Sequence, residues 1–140
     1  MATVLIAEDE FVIAEMVEDL LVRAGYEVCG IARTVDEGVK LGERHQPDLA
    51  VLDLRLADGG IGTDIAARLG RRGTLGILYA TANAGGITLT AADGEASIRK
   101  PYSGDDLIFA LKIVEQFIRT GTALPPFPQG FQMLGPGTAV

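Results

Sequence analysis

Short apolar runs alternate with amphipathic segments along this chain. The apolar runs predict five strands, at residues 4–7, 26–32, 50–54, 75–80 and 96–99. The amphipathic segments predict helices at residues 13–24, 35–46, 63–69 and 104–120. Strands that alternate with helices in this way form a parallel sheet with helices on both faces, so the pattern predicts an α/β fold.

Polar residues and glycines at the ends of the amphipathic segments predict where the helices begin and end. Thr34 and Glu37 fit a capping box, in which each side chain satisfies the other's free backbone N–H group. Thr63 is expected to cap the third helix, and Ser103 with Asp106 the last one. The second helix must end before Pro47, because the residue preceding proline is pushed out of the helical region.

The connection between the fourth and fifth strands differs from the other crossovers. Residues 82–95 hold three glycines and a run of mostly β-branched residues at 87–90. A glycine in a helix interior costs about 1 kcal/mol relative to alanine. We therefore expect a loop here, or at most a frayed helical turn.

The last helix and the segment after it carry more apolar surface than one sheet face needs. Phe109, Ile113 and Phe117 lie outside the stripe that faces the sheet, so something must cover them. Residues 121–140 contain four prolines and four glycines, yet also several large apolar side chains. Two interpretations of this tail stay open: a mobile extension, or a segment that packs on the last helix or on a second copy in a homodimer.

Composition limits the classes of function. The chain has 140 residues, 48% of them hydrophobic and 22% charged, as expected of one globular domain. Its net charge of -7 argues against nucleic acid as a main partner. The single Cys29 cannot form an internal disulfide, and no apolar run is long enough for a signal peptide or a membrane span. These features predict a cytoplasmic protein with no membrane contact.

Four charged residues and one threonine follow or end the predicted strands. The carboxyl ends of parallel strands share one crevice, so these residues are expected to lie close together. Three carboxylates and one lysine leave a local charge of about -2, which a hard divalent ion such as Mg²⁺ would balance. An ionised aspartate in such a site is a competent nucleophile toward a phosphoryl group. The residues are Glu8, Asp9, Asp53, Thr81 and Lys100.

With these residues in this order, residues 3–120 resemble the receiver domain of bacterial two-component response regulators. The resemblance implies a flavodoxin-like, doubly wound, five-stranded parallel sheet of order 2-1-3-4-5, with a receiver domain at 1–120 and a tail at 121–140. It implies that Asp53 is the phosphoacceptor and that Thr81 and Lys100 act on the phosphoryl group. It also implies a cis bond between Lys100 and Pro101.

The resemblance also implies a set of Mg²⁺ ligands. Asp9, Asp53 and the backbone carbonyl of Arg55 would hold the ion, with Glu8 acting through water. Arg55 and Asn83 occupy the two variable positions that tune autodephosphorylation in that family.

Two positions depart from the commoner receiver pattern. The aromatic residue that usually stands three positions before the lysine is Ser97 here, so that rotamer switch is absent. The sequence Tyr79-Ala80-Thr81 is similar to a receiver subgroup with an aromatic-Ala-Thr motif and a weak or absent fourth helix, the one joining the fourth and fifth strands.

The expected function is a single-domain response regulator in a bacterial phosphorelay. It would accept a phosphoryl group from a sensor histidine kinase or phosphotransfer protein, and signal through protein contacts or serve as a phosphate intermediate or sink. Because no output domain fits after Thr120, we expect no enzyme activity beyond self-phosphotransfer and autodephosphorylation. Two alternatives stay open: an interaction module that works without phosphorylation, and a Mg²⁺-dependent aspartyl-phosphate phosphatase, although the second acid of that motif is missing.

Overall fold

A parallel sheet forms the centre of the molecule. The computed structural model describes residues 2–70, 75–82 and 87–135. The strands are β1 (Thr3–Ala7), β2 (Glu27–Ala32), β3 (Leu49–Asp53), β4 (Gly76–Thr81), β5 (Ala96–Arg99) and β6 (Phe131–Met133). The helices are α1 (Phe11–Arg23), α2 (Val35–His45), α3 (Gly62–Leu69) and α4 (Gly104–Thr120).

The strand order is β2-β1-β3-β4-β5-β6. The first five strands run parallel to one another in the predicted order, which confirms the flavodoxin-like α/β class. The predicted count of five is wrong, because the tail adds β6, which pairs with β5 in the antiparallel direction. An edge strand leaves backbone N–H and C=O groups without partners, and the tail supplies partners for them on β5.

The central strands are buried because helices cover both faces of the sheet. One apolar cluster joins the sheet to α1 and α4, and contains Val4, Ile6, Leu78 and Leu111. The other cluster lies on the opposite face, against α2 and α3, and contains Leu5, Leu52, Ile65 and Tyr79. Successive strand residues point to opposite faces, so a continuous apolar run serves both clusters. Of the helices in the described part of the chain, none is long and apolar enough to cross a membrane.

Of the three predicted helix caps, the one on α4 is confirmed, the one on α2 is confirmed in part, and the one on α3 is wrong. Oγ1 of Thr34 accepts from the backbone N–H of Glu37 as predicted, but the Glu37 carboxylate accepts from Arg33 N, one residue earlier than a capping box requires. Ser103 caps α4 through Asp106 N, which confirms that prediction. The predicted cap at Thr63 is wrong: α3 begins after Ile61, and no side chain caps it.

The crossover between β4 and β5 contains no helix within its described residues, 82 and 87–95. A turn at residues 91–93 is its one regular feature there, as the glycine content predicted. On α4, Ile113 is buried, whereas 42% of Phe109 is exposed. Within one chain Phe109 is therefore not fully covered, and the expectation that something else covers it stays a prediction. The tail packs on the edge of β5 rather than lying free, at least as far as residue 135.

Candidate functional site

The carboxyl edge of the sheet gathers the predicted site residues. Glu8 and Asp9 follow β1, and Asp53 is the last residue of β3. Lys100 follows β5, and its backbone N–H donates to the carbonyl of Thr81 at the end of β4, 2.6 Å away. The Lys100–Pro101 peptide bond is cis. Four strand ends therefore meet at one place, and this follows from their parallel arrangement.

The ammonium group of Lys100 lies between two carboxylates. Its Nζ atom donates to Oε1 of Glu8 at 3.1 Å and to Oδ2 of Asp53 at 3.3 Å. The Lys100 and Asp53 side chains are 20% and 12% exposed, so solvent screens these contacts less than it screens a surface ion pair. The second Asp53 oxygen, Oδ1, accepts from the backbone N–H of Arg55 at 3.4 Å.

Glu8 is the most enclosed acid of the site, with 5% of its surface exposed. Its pKa is raised to about 7: burial raises it most, the charge of Asp53 adds to the rise, and hydrogen bonds from Glu10 N and Lys100 partly oppose it. For Lys100, burial alone would lower the pKa of the ammonium, but the charges of Asp53 and Glu8 outweigh burial and raise it above its usual range. Glu8 therefore titrates near neutral pH while Lys100 stays charged.

Three acids of the site are close enough to share one cation. Glu8, Asp9 and Asp53 each offer a carboxylate oxygen, and these oxygens lie within 4.8 Å of one another. Asp9 and Asp53 also line a cavity of about 280 Å³, together with Arg55 and Lys100. Carboxylate oxygens beside an open space suit a hard divalent ion that keeps some of its water ligands, and Mg²⁺ is such an ion.

The remaining predicted site residues are Thr81, Arg55 and Asn83. Thr81 ends β4 and lines a separate cavity of about 550 Å³ with Ser97 and Arg99. Arg55 is exposed at the rim of the acidic cavity, next to Asp53. Asn83 lies outside the described residues, so its predicted tuning role stays a prediction.

Two residues of the site were not anticipated from the sequence. Arg33 ends up at the same sheet edge, just after β2, and its Nε donates to the carbonyl of Asp9 at 3.4 Å. Gly62 packs against β3 so closely that a Cβ there would collide with the carbonyl oxygen of Asp53. The position of Arg33 directly after a predicted strand was a usable signal, whereas nothing in the sequence distinguished Gly62 from Gly59 and Gly60.

The sequence of residues 4–112 matches the response regulator receiver domain, and the chain belongs to that family. Receiver domains are generally non-catalytic signalling modules that typically bind Mg²⁺, and Glu8, Asp9 and Asp53 form an acidic cluster that could hold such an ion.

Two characterised relatives and one crystal structure illustrate the similarity. The chain is 35% identical over 124 residues to the transcriptional regulatory protein PdtaR of Mycobacterium tuberculosis, which covers 86% of this chain and 60% of that protein. It is 40% identical over 84 residues to the phyllosphere-induced regulator PhyR of Methylorubrum extorquens, which covers 59% of this chain and 32% of that protein. The receiver domain of a modulated diguanylate cyclase from Desulfovibrio desulfuricans superposes with a TM-score of 0.73 at 27% identity, over 85% of this chain and 97% of that one.

The chain thus spans less than two thirds of the length of these two regulators.

Proposed function

We propose that this chain is a phosphorylation-controlled signalling protein in which Asp53 accepts a phosphoryl group from a sensor histidine kinase or a phosphotransfer protein. The observation that carries the proposal is the position of Lys100, whose ammonium contacts both Asp53 and Glu8 at the carboxyl edge of the sheet. A lysine this enclosed beside an aspartate suits charge stabilisation at a phosphoryl group.

In the proposed transfer, an oxygen of Asp53 forms a bond to phosphorus while the bond between phosphorus and the donor's imidazole nitrogen breaks. The electron pair of the broken bond leaves with that nitrogen. Lys100 holds positive charge beside the phosphoryl oxygens, and Thr81 lies at the end of the adjacent strand, where its hydroxyl can donate to one of them. Arg55 and Asn83 are proposed to set how fast water removes the phosphoryl group.

The proposed cofactor is Mg²⁺, held by Asp9, Asp53 and the backbone carbonyl of Arg55, with Glu8 acting through water. When bound, the ion would neutralise the acids and the incoming phosphoryl group. Three carboxylate oxygens within 4.8 Å of one another support this assignment.

Phosphorylation from acetyl phosphate tests the proposal directly. Intact mass spectrometry of the protein with acetyl phosphate and Mg²⁺ should show the gain of one phosphoryl group. Asp53→Asn should abolish the gain, whereas Asp58→Asn, a matched change of an exposed acid in the following loop, should leave it intact. Chelation of the Mg²⁺ should abolish it as well. If the wild type gains no mass, the proposal is wrong and an interaction module that works without phosphorylation is favoured. If Asp53→Asn gains as much as the wild type, another residue accepts the phosphoryl group and the assignment to Asp53 is wrong.

The proposed output is a change in the crossover at residues 82–95. Among the contacts that join this segment to the sheet, Tyr79 OH donates to the carbonyl of Asp93 at 2.7 Å, and Glu95 N donates to the carbonyl of Ile77 at 3.1 Å. The described residues 87–95 hold one turn and no helix or strand, so a change in their order has a small cost, and phosphorylation adds charge at the strand end from which the crossover departs.

Amide hydrogen exchange tests this output. Beryllofluoride with Mg²⁺, a mimic of the phosphoryl group, should slow exchange in residues 87–95 of the wild type and leave the segment unchanged in Asp53→Asn. If exchange in that segment is the same with and without the mimic, while the protein still gains the phosphoryl group, the output lies elsewhere.

A further inference from the structure

A cavity of about 550 Å³ lies beside β4, β5 and β6, separate from the acidic cavity that Asp9 and Asp53 line. Residues 87–89 of the crossover form one of its walls, and the described residues 87–95 contain no helix that would fill it. A single water takes about 30 Å³, and pockets for small molecules have about 300–1,000 Å³. The cavity therefore has room for a whole small molecule.

The register of the sheet brings polar side chains to this cavity. Ser97 pairs with Tyr79 on one side and with Gln132 on the other, and Thr81 pairs with Arg99. Paired residues point to the same face of a sheet, and so do residues two positions apart. Tyr79 belongs to the apolar cluster on the α2 and α3 face, so the other four side chains lie on that face as well.

The polar side chains of the cavity have unused capacity for hydrogen bonds. Within the described part of the chain, none of them makes a side-chain hydrogen bond or an ion pair. Hydroxyl groups both donate and accept, an amide does the same through two atoms, and a guanidinium offers five donors. These groups can therefore bind a polar ligand without breaking bonds of the fold. They belong to Thr81, Thr88, Ser97, Arg99 and Gln132.

Charge and shape limit the class of ligand. Among the described residues that line the cavity, Arg99 alone is charged, and a guanidinium binds phosphate or carboxylate through two parallel hydrogen bonds. Leu54, Leu89 and Leu134 give the cavity apolar walls as well. A sugar that carries a phosphate or a carboxylate combines an anionic group, several hydroxyls and apolar C–H faces, and so matches this lining.

We propose that the cavity is a binding site for such a sugar anion, and that its occupation opposes phosphorylation of Asp53. Arg99 binds the anionic group, while the hydroxyl and amide side chains bind the hydroxyls of the ligand. The hydroxyl of Thr81 has one proton to donate, so the ligand and the phosphoryl group compete for it. This competition rests on the proposed function, whereas binding in the cavity does not.

Two-dimensional NMR of the isotope-labelled full chain, without divalent ions, tests the binding. Glucose 6-phosphate and gluconate, which carry the two kinds of anionic group, should shift the amide signals of Ser97 and Gln132 with a Kd of about 0.1–1 mM. Glucose and inorganic phosphate should each bind at least about tenfold more weakly, because each makes only part of the contacts. Binding of one sugar anion alone supports the proposal and identifies the anionic group.

Arg99→Gln should weaken the binding of the sugar anion at least about tenfold, because it removes the only positive charge of the described lining. The matched control is Arg119→Gln, at an exposed position on α4, which should leave the binding unchanged. The proposal is overturned if neither sugar anion shifts the two signals at about 10 mM, ten times the weakest expected Kd. It is also overturned if inorganic phosphate binds as tightly, or if Arg99→Gln binds as well as the wild type.

Beryllofluoride with Mg²⁺ tests the competition. Coupling between two sites is reciprocal, so this mimic of the phosphoryl group should weaken the binding of the sugar anion at least about fivefold in the wild type. It should have no effect in Asp53→Asn. Equal affinities with and without the mimic overturn the competition for Thr81. A wild type that binds the sugar anion but gains no phosphoryl group overturns the proposed function and the competition, and not the binding site.

Discussion

The ammonium of Lys100 lies 3.1 Å from the Oε1 atom of Glu8, the most enclosed acid at the carboxyl edge of the sheet. The two residues are far apart in the chain and meet because β1 and β5 run in the same direction. The contact places a titratable carboxyl and a permanent positive charge beside Asp53. The protonation state of Glu8 therefore affects both the stability of the fold and the net charge of the site.

Glu8 should make the stability of the protein depend on pH near neutrality. Its pKa of about 7 in the folded protein exceeds the ordinary value of 4.5, because burial disfavours the charged carboxylate. Its contribution to stability is full below the ordinary pKa and is lost as pH rises through the folded pKa. Without divalent ions, the free energy of unfolding should fall by about 1–3 kcal/mol between about pH 5 and about pH 8.

Urea denaturation at several pH values measures this effect. Glu8→Gln should flatten the pH dependence, whereas Glu10→Gln, at an exposed neighbouring position, should retain it. The raised pKa of Lys100 does not interfere, because its contribution is lost only above its ordinary value of 10.5. If the unfolding free energy changes with pH equally in the wild type and in Glu8→Gln, the raised pKa is not the cause of the pH dependence.

Lys100→Met should separate binding of Mg²⁺ from transfer of the phosphoryl group. The change removes a positive charge that repels the cation, so Mg²⁺ should bind at least as tightly as in the wild type. The rate of phosphorylation by acetyl phosphate should fall about 100-fold, because the developing charge on the phosphoryl oxygens loses its stabilising ammonium. Isothermal titration and intact mass spectrometry provide the two measurements.

The matched control for that experiment is Lys112→Met, at an exposed position on α4. Lys112→Met should change neither the affinity for Mg²⁺ nor the rate of phosphorylation. If Lys100→Met weakens Mg²⁺ binding and slows phosphorylation by the same factor, Lys100 serves to position the acids and not to stabilise charge.

Gly62→Ala should disturb Asp53 through its backbone. A Cβ on Gly62 would collide with the Asp53 carbonyl oxygen, and the N–H of Gly62 also donates to Leu54 O at 2.8 Å. Overpacking of this kind typically costs about 1–3 kcal/mol. Phosphorylation should slow as well, because the strand end that carries Asp53 must move.

Gly59→Ala, in the loop just before α3, provides the comparison for Gly62→Ala. Gly59 has φ of +74° and open space around its Cβ position, so alanine costs stability through backbone strain alone. Thermal denaturation and phosphorylation rates of both variants test the difference. A Gly62→Ala protein that is phosphorylated at the Gly59→Ala rate would show that the clash relaxes away from Asp53.

The sheet and the acidic cluster could be predicted because both depend on local pattern. Continuous apolar runs give buried parallel strands, and charged residues directly after such strands must meet at one edge. Glu8, Asp53 and Lys100 were identified in this way, and their contacts are those that the edge position requires. Helix capping was predictable where the side chain acts on its own helix, as at Ser103.

The sixth strand could not be predicted, because its cause lies outside the segment that forms it. Phe131, Gln132 and Met133 have too short an alternation to predict a strand by themselves. They become one because β5 presents unpaired backbone groups, and this depends on the order of strands in the sheet. The contact of Gly62 with Asp53 could not be predicted for the same reason, because it depends on how closely α3 packs on β3.

The hydroxyl of Tyr79 should restrain the crossover between β4 and β5. Tyr79 is fully buried, and its hydroxyl donates to the carbonyl of Asp93, whose own carboxylate accepts from Thr90 N at 2.8 Å. Tyr79→Phe removes one hydrogen bond between the sheet and the turn, at a cost of about 1 kcal/mol in unfolding free energy. Amide exchange in residues 90–94 should become faster, because the turn keeps its internal bond but loses this hydrogen bond to the sheet.

Tyr26→Phe is the matched control, because it also removes one tyrosine hydroxyl hydrogen bond. The Tyr26 hydroxyl donates to the carboxylate of Glu115 on α4 at 3.0 Å, and Tyr26 directly precedes β2. Tyr26→Phe should cost a similar free energy and leave exchange in residues 90–94 unchanged. If both variants speed exchange there equally, the effect is one of global stability. If only Tyr79→Phe speeds exchange in residues 90–94, the Tyr79 hydroxyl anchors the segment that we propose as the output of phosphorylation. In that variant, beryllofluoride should then slow exchange in these residues less than it does in the wild type.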